Sequence, residues 1–289
     1  MHTIDVSVFN VFKVIGVYPI IILGCKNYQG AFARFELSHY ENLTQRIFTT
    51  RETLQPFSLF EQLGIKINSG ATGFQAQQLK LAIFNVQDDK SIPFAVSGNI
   101  DRYTWSNQSV RYMDERYFQA YISNKNSVLA DSKWKFWQNP KIVIAGMTKV
   151  IEAVYVESAL GIGVGCYGIY DFGNYYPYCL TAVLNSKYMT NYFVTKFKDK
   201  HLAGGYLAIN KSTKEGLPLV AISKATQEIL CILSKDIHNK TRDNENTTQL
   251  QRKIDVIVFK LFNISFSEAK EICPNYSIDE HEYYKLNII

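Results

Sequence analysis

Between Leu180 and Asp199, Val183, Leu184, Tyr188, Tyr192 and Phe193 recur at spacings that build one apolar stripe, which predicts a helix. A second helix is predicted after Ser223, a good N-cap, with Ile229, Leu230, Leu233 and Ile237 on one face. It stops in the polar stretch 239–248. A third follows from Thr248 with Leu250, Ile254, Ile257 and Leu261, so the last two read as a helical hairpin. Upstream the pattern shortens. The apolar runs Val6–Val14, Ile20–Cys25 and Ala31–Leu37 predict strands, with 16–19 as a turn and Pro19 at a strand start, where its missing N–H costs least. Lys141–Ala145, entered through Pro140, and Ala153–Val156 predict two more strands. Gly161–Phe172 is strand-like, with a glycine every second or third residue, and predicts a glycine-rich hairpin.

These elements do not alternate strictly between strand and helix, so the fold class expected is α+β rather than doubly wound. Three textures divide the chain. Residues 1–48 are short apolar strands, 49–222 mix strands, glycine turns and two helices, and 223–289 are mainly helical.

Composition supports a packed core: 47% of the 289 residues are apolar and 14% aromatic, with 19 Tyr and 18 Phe. Lys and Arg number 31 against 26 Asp and Glu, a formal +5 with a pI near 8.7. That lean is too mild to identify a polyanion partner by itself. Cys25, Cys166, Cys179, Cys231 and Cys273 form no CxxC pair and, being odd in number, suit no disulfide framework. Reduced thiols and a cytoplasmic location are expected. The apolar run 14–25 is shorter than the roughly 20 residues a membrane span needs and lacks a basic leader and cleavage site. No membrane partner is expected.

Candidate chemistry is mostly negative. Gly163-x-Gly165-x-x-Gly168 matches a dinucleotide fingerprint as a string, but the residues after it are β-like up to Pro177, where the fingerprint needs a helix. The chain shows neither a Gly-loop for S-adenosylmethionine nor an Asn/Asp-Pro-Pro-aromatic loop; Asn139-Pro140-Lys141 and Pro274-Asn275-Tyr276 are the nearest strings. The histidines (2, 39, 201, 238 and 281) are isolated, and no spacing suits a metal. Asp279, Glu280 and Lys285 read as a solvated tail rather than a nuclease centre. Neither catalytic residues nor a cofactor are expected in this chain.

A succession of short segments is more informative. Ser69-Gly-Ala-Thr-Gly-Phe74 is a tight polar turn, followed by Ile100-Asp-Arg-Tyr103, then Pro140-Lys-Ile142, Leu184-Asn-Ser186 and Leu217-Pro218. In order and rough spacing over about 60–222 these resemble the TaqI-like C-terminal specificity domain. That domain ends Eco57I-type adenine-specific DNA methyltransferases and single-chain type II restriction–modification enzymes. Lys253–Phe262 resembles the family's tail. Val8–Ile22 resembles the last strands of a methyltransferase core.

The resemblance implies an α+β target-recognition domain with a C-terminal helical hairpin and an N-terminal strand remnant of a catalytic core. It also implies a double-stranded DNA partner and a catalytic methyltransferase subunit, or a missing N-terminal half, that would hold S-adenosylmethionine. The chain itself would supply DNA sequence recognition. Two other readings stay open: a non-catalytic protein-interaction subunit, and a truncated gene product.

For phosphate contact the candidates are Lys141, Lys149, Lys187, Lys196, Lys198 and Lys200, the last three equally readable as a solvated helix end. For base reading they are Arg102, Arg111 and Arg116, because a guanidinium grips guanine bidentately; ion pairs with Asp101, Asp114 or Glu115 are the plainer alternative. Thr72, Gly73 and Gln75 of the first turn, with Gln77 and Gln78, complete the set, and Tyr103, Tyr112 and Tyr117 would buttress these loops.

Overall fold

A computed structural model describes residues 2–5, 20–23, 33–36, 47–48, 57–123, 129–197, 201–202, 206–210, 214–274 and 279–286. The strands that frame the site are β1 (Lys66–Ser69), β2 (Ser91–Ala95), β3 (Gln108–Tyr112), β4 (Glu115–Gln119), β5 (Tyr121–Ser123), β6 (Lys141–Ala145), β7 (Ala153–Val156), β8 (Gly161–Ile162) and β9 (Cys166–Asp171). The helices are α1 (Ala76–Ala82), α2 (Asp131–Gln138), α3 (Pro177–Leu184), α4 (Lys187–Lys196), α5 (Lys224–Arg242) and α6 (Thr248–Leu261).

A strand that is apolar without alternation must be covered on both faces. Ile142-Val-Ile-Ala145 meets that condition. All of β6 is buried, at the centre of an antiparallel sheet ordered β7-β6-β9-β1. Because side chains alternate, Ile142 and Ile144 enter one core while Val143 and Ala145 enter the other. The first core is built with α3, α4, α5 and α6. The second lies under β2, β3, β8 and α2, with Phe94, Tyr112 and Trp137 as its large rings. Each fully buried Ile or Val of β6 contributes about 1.5–3 kcal/mol of transfer free energy. The expected α+β class is what the chain adopts.

The glycine-rich hairpin is not what forms. β8 pairs parallel with β2 in a second sheet ordered β8-β2-β5-(Ile83–Phe84), while β9 pairs with β6 and β1. The segment crosses from one sheet to the other, and Gly165 makes the crossing at φ +82°, a conformation that a side chain would strain. The sheets come so close there that a Cβ on Gly70 would lie 2.4 Å from the Ile162 carbonyl oxygen. No helix follows the glycines, as the strand reading required.

The helix expected over 180–199 is two helices. α3 ends at Leu184, and α4 starts after Ser186, whose Oγ accepts from the Met189 N–H at 3.2 Å. The break frees the Asn185 amide to bond the edge strand β7: its Oδ1 accepts from the Ala153 N–H (2.9 Å) and its Nδ2 donates to the Ala153 carbonyl (2.8 Å). Region 49–222 also holds α1 and α2, so it carries more helix than the pattern predicted.

The C-terminal hairpin of α5 and α6 forms, and Ser223 caps α5. The buried face of α5 is Gln227, Leu230, Ser234 and Ile237; Ile229, expected on it, is exposed. Ile20–Leu23 and Ala33–Glu36 are strands, both paired with His2–Asp5. The expected strand 6–14 lies outside the described residues. No helix among the described residues is long and apolar enough to cross a membrane. Cys166, Cys179, Cys231 and Cys273 are free thiols.

Candidate nucleic-acid interface

β3 and β4 form a two-stranded antiparallel ribbon closed by Met113 and Asp114, with Met113 at φ 55°. Period-two alternation sorts its faces. Val110, Tyr112 and Tyr117 point inward and are buried, Tyr112 meeting Phe94 edge-on at 5.4 Å. Burial pushes the Tyr112 hydroxyl up to about 12, so it stays protonated. Arg111 and Arg116 point outward, directly opposite one another, with Phe118 beyond Arg116 on the same face.

The acidic residues nearest in sequence do not neutralise that face. Lys80 of α1 takes both, with Nζ 2.7 Å from Asp114 and 3.3 Å from Glu115. The hydrogen bond to Asp114 raises the Lys80 pKa and lowers that of Asp114. Two further bonds brace the ribbon: the Tyr117 hydroxyl donates to the Lys80 carbonyl (3.4 Å) on its inner face, and the Phe118 N–H donates to the Asn85 side-chain oxygen (2.8 Å) along the edge of β4. Among the described residues no ion pair engages Arg111 or Arg116. Like charges directly opposite in a ribbon are destabilising, so the pair does not serve the fold.

Beside the ribbon, α1 exposes Phe74 just before its first turn, then Gln77, Gln78 and Leu81; Phe74 is 99% and Leu81 82% exposed. Thr72 and Gln75 are tied together at its start, the Thr72 N–H and Oγ1 both donating to Gln75 Oε1 at 3.1 Å. Gly73 is exposed, with open space where a Cβ would stand. Lys149 is exposed, its ammonium 5.5 Å from the centre of the Tyr206 ring.

Other candidates sit elsewhere. Arg102 is turned inward, its Nη2 donating to the Asn185 carbonyl at 2.5 Å, and its Nε is buried without a partner. Tyr103 is buried at φ 67°, its N–H on the Ala153 carbonyl (2.9 Å) and its carbonyl on His238 Nδ1 (2.7 Å). Lys141, expected on phosphate, is instead fully buried. Its ammonium donates to the carbonyls of Trp137 (2.7 Å) and Asn139 (2.8 Å), where α2 ends, and burial pulls its pKa down to about 7. Lys187 opens α4 and lies against α6, its N–H on Asp255 Oδ1 at 2.7 Å. Lys196 is exposed at the end of α4, while Lys198 and Lys200 lie outside the described residues.

The structure therefore gathers Arg111, Arg116 and the α1 glutamines on connected elements and separates from them Arg102, Tyr103, Lys141 and Lys187. Phe118 and Lys80 escaped the sequence reading. The alternation Val110-Arg-Tyr112 and Tyr117-Phe118 carries the signal for Phe118; nothing local marks Lys80, whose partner Asp114 is 34 residues away.

Residues 95–219 match the family model of the TaqI-like C-terminal specificity domain. No curated protein matches the sequence. Two solved structures align with the chain. One is the Type IIL restriction-modification enzyme MmeI in complex with DNA, at 9% identity and TM-score 0.46, covering 76% of this chain and 35% of that one. The other is the type IIG restriction endonuclease BpuSI, at 11% identity and TM-score 0.44, covering 81% and 34%. The chain spans about a third of the length of these enzymes. The family match takes in the ribbon, the strands β6, β7 and β9, and both α3 and α4. Over residues 95–219 this chain is similar to the TaqI-like C-terminal specificity domain.

Proposed function

We propose that this chain is the DNA sequence-recognition module of an N6-adenine DNA methyltransferase or restriction–modification system. It would act in the cytoplasm beside a catalytic subunit or catalytic half. The observation that carries the reading is the outward pair Arg111 and Arg116, in no ion pair among the described residues, inside a matched specificity domain. Phosphate contacts fix register and base-edge contacts carry sequence information. Lys149 and Lys196 are the exposed candidates for the first role, and the ribbon for the second. Thr72, Gly73 and Gln75 hold the start of α1, which offers Gln77 and Gln78 toward adenine. Lys187, against α6 and apart from this surface, would be at most a phosphate candidate of its own. S-adenosylmethionine would belong to the catalytic partner, which would take the target base out of the stack while this module holds the flanking duplex.

Fluorescence anisotropy with a short duplex tests the reading. The logarithm of the binding constant should fall linearly with log salt, by about 0.9 for each phosphate neutralised. A flat response, or no binding at low salt, contradicts it.

A second reading, docking of a protein partner, is favoured by Phe74, Leu81 and Val86, large apolar side chains exposed close together along the sequence around α1. Capture of a catalytic subunit by a chain that binds no duplex would select it.

A further inference from the structure

We propose that the β3–β4 ribbon enters the major groove face-down, with Arg111 and Arg116 gripping guanines on neighbouring base pairs. This rests on the DNA-recognition reading and names the chemistry it reads. Three observations lead there.

The first is shape. A two-stranded ribbon fits the major groove, about 12 Å wide, where each base pair shows a distinct donor and acceptor pattern. This ribbon is anchored along its back by Lys80 and the buried Val110, Tyr112 and Tyr117, while Arg111, Arg116 and Phe118 on its other face are exposed.

The second is spacing. Residues directly opposite in an antiparallel ribbon stand about 4.5–5.5 Å apart. Base pairs rise about 3.4 Å, so two opposed guanidiniums on flexible stems reach adjacent steps. Phe118, on the same face, is 80% exposed, and burial of a ring that size is a gain which only a covering partner supplies.

The third is donor pattern. A guanidinium offers parallel N–H donors and no acceptor. Guanine presents two acceptors, N7 and O6, in the major groove, whereas adenine presents an acceptor beside a donor. With Asp114 and Glu115 held by Lys80, no ion pair among the described residues competes for either arginine.

The experiment uses the full chain and a duplex enriched by it from a randomised pool, with 7-deazaguanine then replacing guanine one position at a time. Loss of N7 at the gripped guanines should weaken wild-type binding by about 3–10-fold each, part of what a whole bidentate pair discriminates. The Arg111→Lys/Arg116→Lys chain keeps the charge but not the fork. It should still bind duplex, with its discrimination between guanine and 7-deazaguanine reduced. Three results would overturn the inference while leaving DNA recognition standing: an enriched site without guanine, a wild-type chain indifferent to 7-deazaguanine, or a lysine variant as sensitive as wild type. The last two would place the arginines on phosphate. Failure to enrich any duplex would strike the underlying reading instead.

Discussion

Asn185 is a polar residue that ties the helical layer to the central sheet. Its amide closes two hydrogen bonds on Ala153, at the outer edge of β7, and all three groups are buried. Asn185→Ala removes both bonds. The Ala153 carbonyl keeps the Tyr103 N–H, but the Ala153 N–H is left buried without an acceptor. Each lost bond costs about 1 kcal/mol net, and an orphaned buried donor about 1–3 kcal/mol. A total near 3 kcal/mol follows, since the Ala153 carbonyl term is partly retained. Trp105, Trp134 and Trp137 all report on the matched domain, so urea unfolding followed by tryptophan fluorescence reads the loss directly. With a slope of about 1–3 kcal/mol per molar urea, the midpoint should fall by about 1 M or more. Asn185→Asp keeps the acceptor and loses the donor, so its deficit should shrink in acid, where the protonated carboxyl donates again. A midpoint shift below about 0.3 M for Asn185→Ala would refute the claim that this amide ties the layers together.

Lys141→Met should cost roughly 1–2 kcal/mol, because the Asn139 carbonyl loses its donor while that of Trp137 keeps the Leu160 N–H; calorimetry checks the loss, and the salt slope of duplex binding should not change. Burial, with Asp101 adding and Arg102 opposing, pushes the Glu152 carboxyl up to about 7 from an ordinary 4.5. Between those values the folded chain holds a proton that the unfolded chain has released, so stability falls as pH rises through the window. Glu152→Gln should therefore gain about 1 kcal/mol at pH 8, discounted for partial exposure, and nothing near pH 4; equal effects at both would refute it. Arg116→Thr relieves the like-charge pair, so melting should show unchanged or slightly higher stability, by a few tenths of a kcal/mol, while duplex binding weakens.

The central strand was legible because 141–145 is apolar without a break and is entered through a proline. The C-terminal hairpin was legible from Ser223 and the four-residue recurrence after it. What the sequence hid lies where one segment serves two partners. The apolar stripe of α3 and α4 runs through Asn185 and Ser186 unbroken, because a stripe records burial and not the hydrogen bonds of Ala153. The glycines at 161–168 read as a hairpin because local spacing cannot tell a turn from a crossing between sheets. Lys141 looked like a surface cation, since nothing in Asn139-Pro-Lys141 announces that two carbonyls await its ammonium. Arg111 and Arg116 were found for their chemistry, while their opposition across one ribbon emerged only from the register.

The most direct test of sequence recognition is selection by the full chain from a duplex pool with a randomised centre, read after several rounds at moderate salt. The account predicts convergence on one short motif, with each mismatched base pair costing about 1–3 kcal/mol. Recovery of all sequences with equal frequency would contradict it.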